Sequence, residues 1–244
     1  MSIKKEDTDI EVDTMGTELV VKANKDKYDD IYRKGYDKKY PNLDLVRLER
    51  WYFKQKPGKL LDFGFGVGVN LLHMLECGYH VEGIEASPEA KRIVEKKIAE
   101  RPQLKSRVNL TVFDRNADKL PYPDNSFDYV VCLSVLSLLE TRERIEWLLQ
   151  EFNRVLKPGA KMIIDINGPG SDFSKHATLV GDEIYEYRGN TGKEEPRLCY
   201  CPQSEDRFSS LLEGLFEVDD VGHVSFKYVG NESFEYLACV RKKG

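Results

Sequence analysis

A mostly parallel α/β sheet of the doubly wound, Rossmann-like kind is predicted by three features of the chain. Apolar segments alternate with helical patterns from Lys59 to Ile166, a glycine-rich turn joins the first strand to its helix, and two alternating segments close the sequence. The alternation calls for parallel βαβ units with right-handed crossovers. The closing segments read as an antiparallel C-terminal strand pair, and helical patterns before Lys59 supply an N-terminal lid.

Length and charge narrow the function classes. The chain has 244 residues, enough for one α/β domain with a substantial core. With 37 basic and 42 acidic residues its formal charge is -5, which gives no electrostatic basis for a nucleic-acid partner. No run approaches the roughly 18 apolar residues of a membrane span. The N-terminus MSIKKEDTDIEVDT is charged where a signal peptide is apolar, so a cytoplasmic protein is expected. The five cysteines have no framework spacing and read as reduced thiols. Cys199 and Cys201 form a C-x-C pair that fits alternate residues of a strand; as a metal site it lacks a second pair or a nearby histidine, and no metal is expected.

In chain order, residues 1–22 are polar and aperiodic and read as a disordered tail, leaving 23–244 as the domain. Asn24 can cap a helix through KDKYDDIYRKGYDKKY, where Tyr28, Tyr32, Tyr36 and Tyr40 recur on one face; packing and a ligand lid both account for such a stripe. Pro41 ends that segment, Asn42 caps a second helix to about Phe53, and Pro57-Gly58 breaks the chain, so 23–56 is the lid region.

The stretch KLLDFGFGVGVN follows. Its strand, Lys59 to Phe63, enters a turn carrying Gly64, Gly66 and Gly68, and a helix runs from Val69 to Cys77. Glycine permits positive φ and close approach of a ligand to the backbone, and the helix N-terminus favours anionic or nucleotide-like groups. A tight turn that binds nothing accounts for the glycines equally well.

The second strand, Tyr79 to Ile84, leads to Glu85, with Ser87 and Pro88 opening the next helix. At the carboxyl end of that strand a Glu85 carboxylate suits the two hydroxyls of a ribose, against the alternative of a solvated loop acid. Val108 to Phe113 forms the third strand, ending in Asp114, Arg115 and Asn116. Phe127 to Leu133 reads as a strand buried on both faces, a helix spans about Thr141 to Leu156 and is closed by Lys157-Pro158-Gly159, and Ala160 to Ile166 is the fifth strand. Residues 167–202 are too long for an ordinary connection and form a substrate-side insertion. A helix near Ser204 to Leu215 precedes the antiparallel pair, Phe216 to Tyr228 and Ser233 to Arg241.

The glycine turn, Glu85, Asp114, LPYPDNSFDYVVCLSVL and LKPGAKMIIDI, in that order, resemble the class I S-adenosylmethionine-dependent methyltransferases over about residues 25 to 166. A dinucleotide fingerprint would need glycine where Val69 stands. The resemblance implies S-adenosylmethionine as cofactor and S-adenosylhomocysteine as product. It implies that Asp62, Gly64, Gly66 and Gly68 shape the methionine pocket, and that Glu85 holds the ribose with Ala86 and Ser87 beside the adenine. Asp114, Arg115 and Asn116 would edge the adenine, and Leu133 and Ser134 would lie near the sulfonium. The tyrosine segment is similar to the lid of small-molecule and sugar-modifying members, with Tyr28 and Tyr40 at the aromatic positions. Phe63, Phe65, Ser137 and a longer loop from Asp114 to Leu120 depart from the family pattern.

Methyl transfer to a small molecule is therefore expected, above all to a hydroxyl of a sugar, glycan or secondary metabolite. N-methylation, macromolecule methylation and a non-catalytic cofactor-binding scaffold are the alternatives. A hydroxyl acceptor needs a base. His176 in the insertion is the candidate, with an exposed loop histidine as its plain alternative, and Asp165 reads as a structural acid or a second base.

Overall fold

The computed structural model describes residues 27–114, 117–189, 192–229 and 231–244. The expected tail at 1–22 and the cap at Asn24 lie outside the described residues. Seven strands form the main sheet in the order β3-β2-β1-β4-β5-β10-β9. Strands β1 (Lys59–Phe63), β2 (His80–Glu85), β3 (Val108–Val112), β4 (Phe127–Cys132) and β5 (Leu156–Asn167) are parallel. Strands β9 (Phe216–Tyr228) and β10 (Asn231–Lys242) add the antiparallel pair. The chain leaves β1 in one direction and resumes at β4 on its other side, so the strand order reverses between them. A crevice opens at such a reversal, at the carboxyl ends of the strands.

The strand period places successive side chains on opposite faces. Leu61 and Phe63 join one core with helix α5 (Arg142–Val155) and helix α7 (Glu205–Leu212), through Leu148, Phe152 and Phe208. Leu60 turns to the other face and packs with α2 (Leu43–Leu48), α3 (Val69–Glu76) and α4 (Pro88–Ala99), through Leu45, Leu71 and Val94. Ser87 caps α4 by accepting from the Ala90 N–H, and Thr141 caps α5 by accepting from Arg144, as their sequence positions require.

Three elements differ from the sequence expectation. Among the described residues the tyrosine helix, α1, runs over 27–33 and ends there. Gly35 adopts φ +89°, and the Tyr36 and Gly35 N–H groups donate to Ile31 and Tyr32 carbonyls, closing the helix in a Schellman motif. Tyr40 is thereby removed from the stripe. Second, the stretch Lys157 to Gly159, directly after α5, already lies within an irregular start of β5, because Leu156 pairs with Phe127. Third, the 167–202 insertion builds its own antiparallel sheet, β6 (Ala177–Leu179), β7 (Ile184–Tyr187) and β8 (Arg197–Tyr200), preceded by the short helix α6 (Asp172–Lys175). Cys199 lies on β8 and Cys201 just beyond it, both buried with thiols pushed up to about 12 by that burial. No described helix is long and apolar enough to cross a membrane.

The turn between β1 and α3 tolerates little change. Gly68 has φ +78°, and a Cβ there would lie 2.5 Å from the Val94 Cγ2 atom, which is fully buried. Gly68→Ala combines left-handed strain with overpacking and should cost roughly 1–3 kcal/mol, read as a lower urea midpoint with an unchanged slope.

Candidate active site

At the carboxyl ends of β1, β2 and β4 lies a cavity bordered by Gly64, Glu85, Ala86, Ser134 and Val135, with Tyr28 and Tyr32 of α1 also in its wall. The glycines are required here. A Cβ on Gly64 would lie 2.4 Å from Val135 Cγ2, and one on Gly66 would lie 3.1 Å from the Tyr32 hydroxyl. The turn is thus held against the loop after β4 on one side and against the lid on the other.

Glu85 ties the turn to β2. Its Oε2 accepts from the Gly66 N–H at 2.9 Å, and its Oε1 accepts from Ala86 at 2.7 Å and Ser87 at 3.1 Å. Three backbone donors thus converge on this carboxylate at the cavity wall. Asp62, the other acid of this motif, has no such support: it is 3% exposed, and its Oδ2 makes no hydrogen bond. Burial, and then the charge of Glu85, push its carboxyl up to about 7.

The lid is fastened by Asp29. Its Oδ1 accepts from the Ser87 hydroxyl and, at 3.1 Å, from the Glu89 N–H, so α1 caps the N-terminus of α4. This contact sets Tyr28 and Tyr32 over the glycine turn, their ring centroids 6.3 Å apart. Burial pushes the Tyr28 phenol up to about 12 and the Tyr32 phenol higher still, so both stay protonated donors.

Across the cavity, Phe113 stacks on Trp147 of α5 at 6.4 Å and 17°, and Arg144 lies 5.7 Å from the Trp147 ring centre. After β4, Ser134 has φ +61°, and its N–H donates to Asp165 Oδ1 at 2.6 Å. Burial raises the Asp165 carboxyl well above its ordinary value, with Glu235 adding to the rise.

Of the residues singled out in the sequence, Tyr28, Gly64, Glu85, Ala86 and Ser134 border the cavity directly. Asp62, Gly66, Gly68 and Ser87 belong to the turn and to the hydrogen-bonded frame behind it. Leu133 instead packs into the core formed with α3 and α4. Asp114 is exposed at the end of β3, and Arg115 and Asn116 lie outside the described residues. Tyr40 is 79% exposed and stands outside the cavity, because the helix that would have carried it inward ends at Gly35. His176 is exposed between α6 and β6, also outside the cavity, because the insertion folds into a sheet of its own. Sequence reasoning missed Tyr32 as a cavity residue, and with it Phe113, Arg144 and Trp147. Arg144 and Trp147 share an i, i+3 face of α5, a spacing that an amphipathic helix produces anyway.

Residues 61–164 match the family model described as a methyltransferase domain. The chain is 31% identical over 155 residues to phosphoethanolamine N-methyltransferase 2 of Caenorhabditis elegans, a match covering 62% of this chain and 32% of that protein. It is 32% identical over 167 residues to demethylmenaquinone methyltransferase of Tropheryma whipplei, covering 67% of this chain and 62% of that one. The chain thus spans about a third of the first of these relatives and under two thirds of the second. Among solved structures, the Burkholderia thailandensis 1,6-didemethyltoxoflavin-N1-methyltransferase, with bound S-adenosylhomocysteine, shares the fold with a TM-score of 0.68 at 16% identity, covering 97% of this chain and 93% of that one.

Two predictions follow from this geometry. Asp29→Ala should release α1 with little effect on the sheet, speeding amide exchange at residues 27–33 by roughly 5- to 30-fold, the equivalent of about 1–2 kcal/mol of lost capping. The folded value of Asp62, about 7, lies above its ordinary 3.8. The protonated form carries no penalty below pH 4, and stability is lost as pH rises from about 4 to 7, by a sum on the order of 4 kcal/mol. Asp62→Asn removes this loss. The variant should match the wild type near pH 4 and exceed it at pH 8, as measured by denaturant unfolding at both values.

Proposed function

We propose that this chain is a class I S-adenosylmethionine-dependent methyltransferase that transfers a methyl group from that cofactor to a small-molecule acceptor. The observation that carries the reading is the Glu85 carboxylate in the cavity wall beside the glycine turn. When bound, S-adenosylmethionine supplies an electrophilic methyl on a sulfonium.

The residues fit such a ligand. Glu85 would accept from vicinal ribose hydroxyls, beside Gly64 in the same cavity wall. Phe113, with Trp147 stacked on it, offers an aromatic wall to a base, a role that sequence reasoning gave to Asp114 and its neighbours. The orphaned Asp62 Oδ2 suits a cationic amino-acid end. Tyr28 and Tyr32 close over the cavity and exclude water, and alignment in a dry site supplies much of the rate for an in-line displacement.

A hydroxyl acceptor would lose a proton during transfer, and neither His176 nor any other described histidine borders the cavity. An amine acceptor, whose lone pair attacks without a base, is the second reading. It is favoured by the nematode relative and the toxoflavin-modifying structure, both named as N-methyltransferases.

Incubation with methyl-labelled cofactor and matched panels of amines and hydroxyl metabolites tests both readings. Label should pass to a small molecule; a scaffold would bind cofactor and transfer none. Glu85→Ala should weaken cofactor binding by about 10- to 100-fold in calorimetry, the loss expected for charge-assisted hydrogen bonds.

A further inference from the structure

We propose that Arg197, with Lys27 beside it, is a binding site for the carboxylate or phosphate group of a small molecule, and that Glu194 occupies this site until such an anion displaces it. The site lies in a seam between helix α1 and the sheet of the insertion, separate from the cavity at the glycine turn.

Arg197 opens β8 and is 5% exposed. The pairing of β7 with β8 sets it opposite Tyr187, and its guanidinium stands over the Tyr187 ring, 4.9 Å from the ring centre. Stacking of this kind fixes the guanidinium plane and leaves its edge for hydrogen bonds. That edge is poorly used. Nε is buried without a hydrogen bond, and Nη2 on the same edge reaches Glu194 Oε2 only at 3.4 Å. A good charge-assisted contact is shorter, about 2.7–2.9 Å.

Glu194 is shared between two cations, for Lys27 of α1 takes the same Oε2. Its side chain is 46% exposed against 6% for that of Arg197, so a surface acid covers a buried cation. The loop folds it back over Gly189, where a Cβ would lie 2.4 Å from the Glu194 carboxyl carbon. Asp30 and Glu195 also line the seam, but Asp30 pairs with Arg33, and among the described residues neither forms an ion pair with Arg197. A free carboxylate or phosphate presents two oxygens to Nε and Nη2 together, where Glu194 gives one oxygen to one nitrogen. The exchange satisfies the buried Nε and returns Glu194 to solvent. Lys27 and Tyr28 are consecutive residues of α1, one lining the seam and the other the cofactor cavity. The anion can therefore be an acid group carried by the acceptor or a separate small molecule.

Titration of the full chain with inorganic phosphate and with acetate, followed by NMR of the arginine Nε–H signals, tests the site. One signal, missing from Arg197→Lys, should shift and saturate. Glu194→Gln should tighten phosphate binding by about 3- to 10-fold, because the competing carboxylate is gone, and Arg197→Lys should weaken it by about 10-fold or more. A purely structural ion pair predicts no gain from Glu194→Gln. With labelled cofactor, an acid that belongs to the acceptor makes acid-bearing amines or alcohols better substrates than their methyl esters and lets phosphate compete with them; a separate anion binds without competing. Absence of saturable phosphate and acetate binding overturns the proposal, as does binding that Glu194→Gln fails to tighten or that Arg197→Lys retains in full. Should Arg197→Lys not fold, Glu194→Gln decides alone. Loss of methyl transfer to every acceptor counts against the cofactor reading and leaves the anion site standing, since phosphate binding is measured without cofactor.

Discussion

The hydrogen bonds from the Gly66, Ala86 and Ser87 N–H groups to Glu85 are the contact on which the rest of the site depends. They join the carboxyl end of β2 to the turn after β1, and so fix where the turn lies at the reversal of strand order. Burial, and then the charge of Glu85, raise the carboxyl of Asp62, 23 positions earlier in the chain.

The lid is built on the same frame. Ser87, which donates its backbone N–H to Glu85, donates its hydroxyl to Asp29, and Asp29 also takes the Glu89 N–H at the start of α4. One short segment therefore shapes the cavity wall and anchors the helix that covers it. Helix α1 is held through this cap and through the packing of Tyr32 on the second core.

In the loop after β4 the arrangement is different. Ser134 is held in a left-handed conformation by its N–H bond to the buried Asp165, so the loop after β4 is fixed by β5. Asp165 serves as a structural acid in that bond. The three-stranded sheet of the insertion carries its own buried acid, Glu183, which accepts from the Gln203 N–H and the Tyr200 hydroxyl. These contacts bind the insertion to itself, which is why His176 ends on an outer surface.

Local chemistry was legible in the sequence by itself. The bounds of β1, those of β2 to within one residue, the caps at Asn42, Ser87 and Thr141, and the alternation of strands with helices follow from apolar runs, turn glycines and capping residues, because each is settled within a few neighbours. Glu85 was found in the same way, by its place at a strand end. The end of α1 is local as well: Gly35, at φ +89°, outweighs the aromatic stripe that periodicity carries to Tyr40. What required tertiary structure was set by groups distant in sequence. Trp147 met Phe113 across 34 positions because the sheet brings α5 beside the end of β3. The state of Asp62 was out of reach of the sequence for the same reason. Its identity is local, but its proton depends on burial and on a second carboxylate that only the folded sheet places beside it.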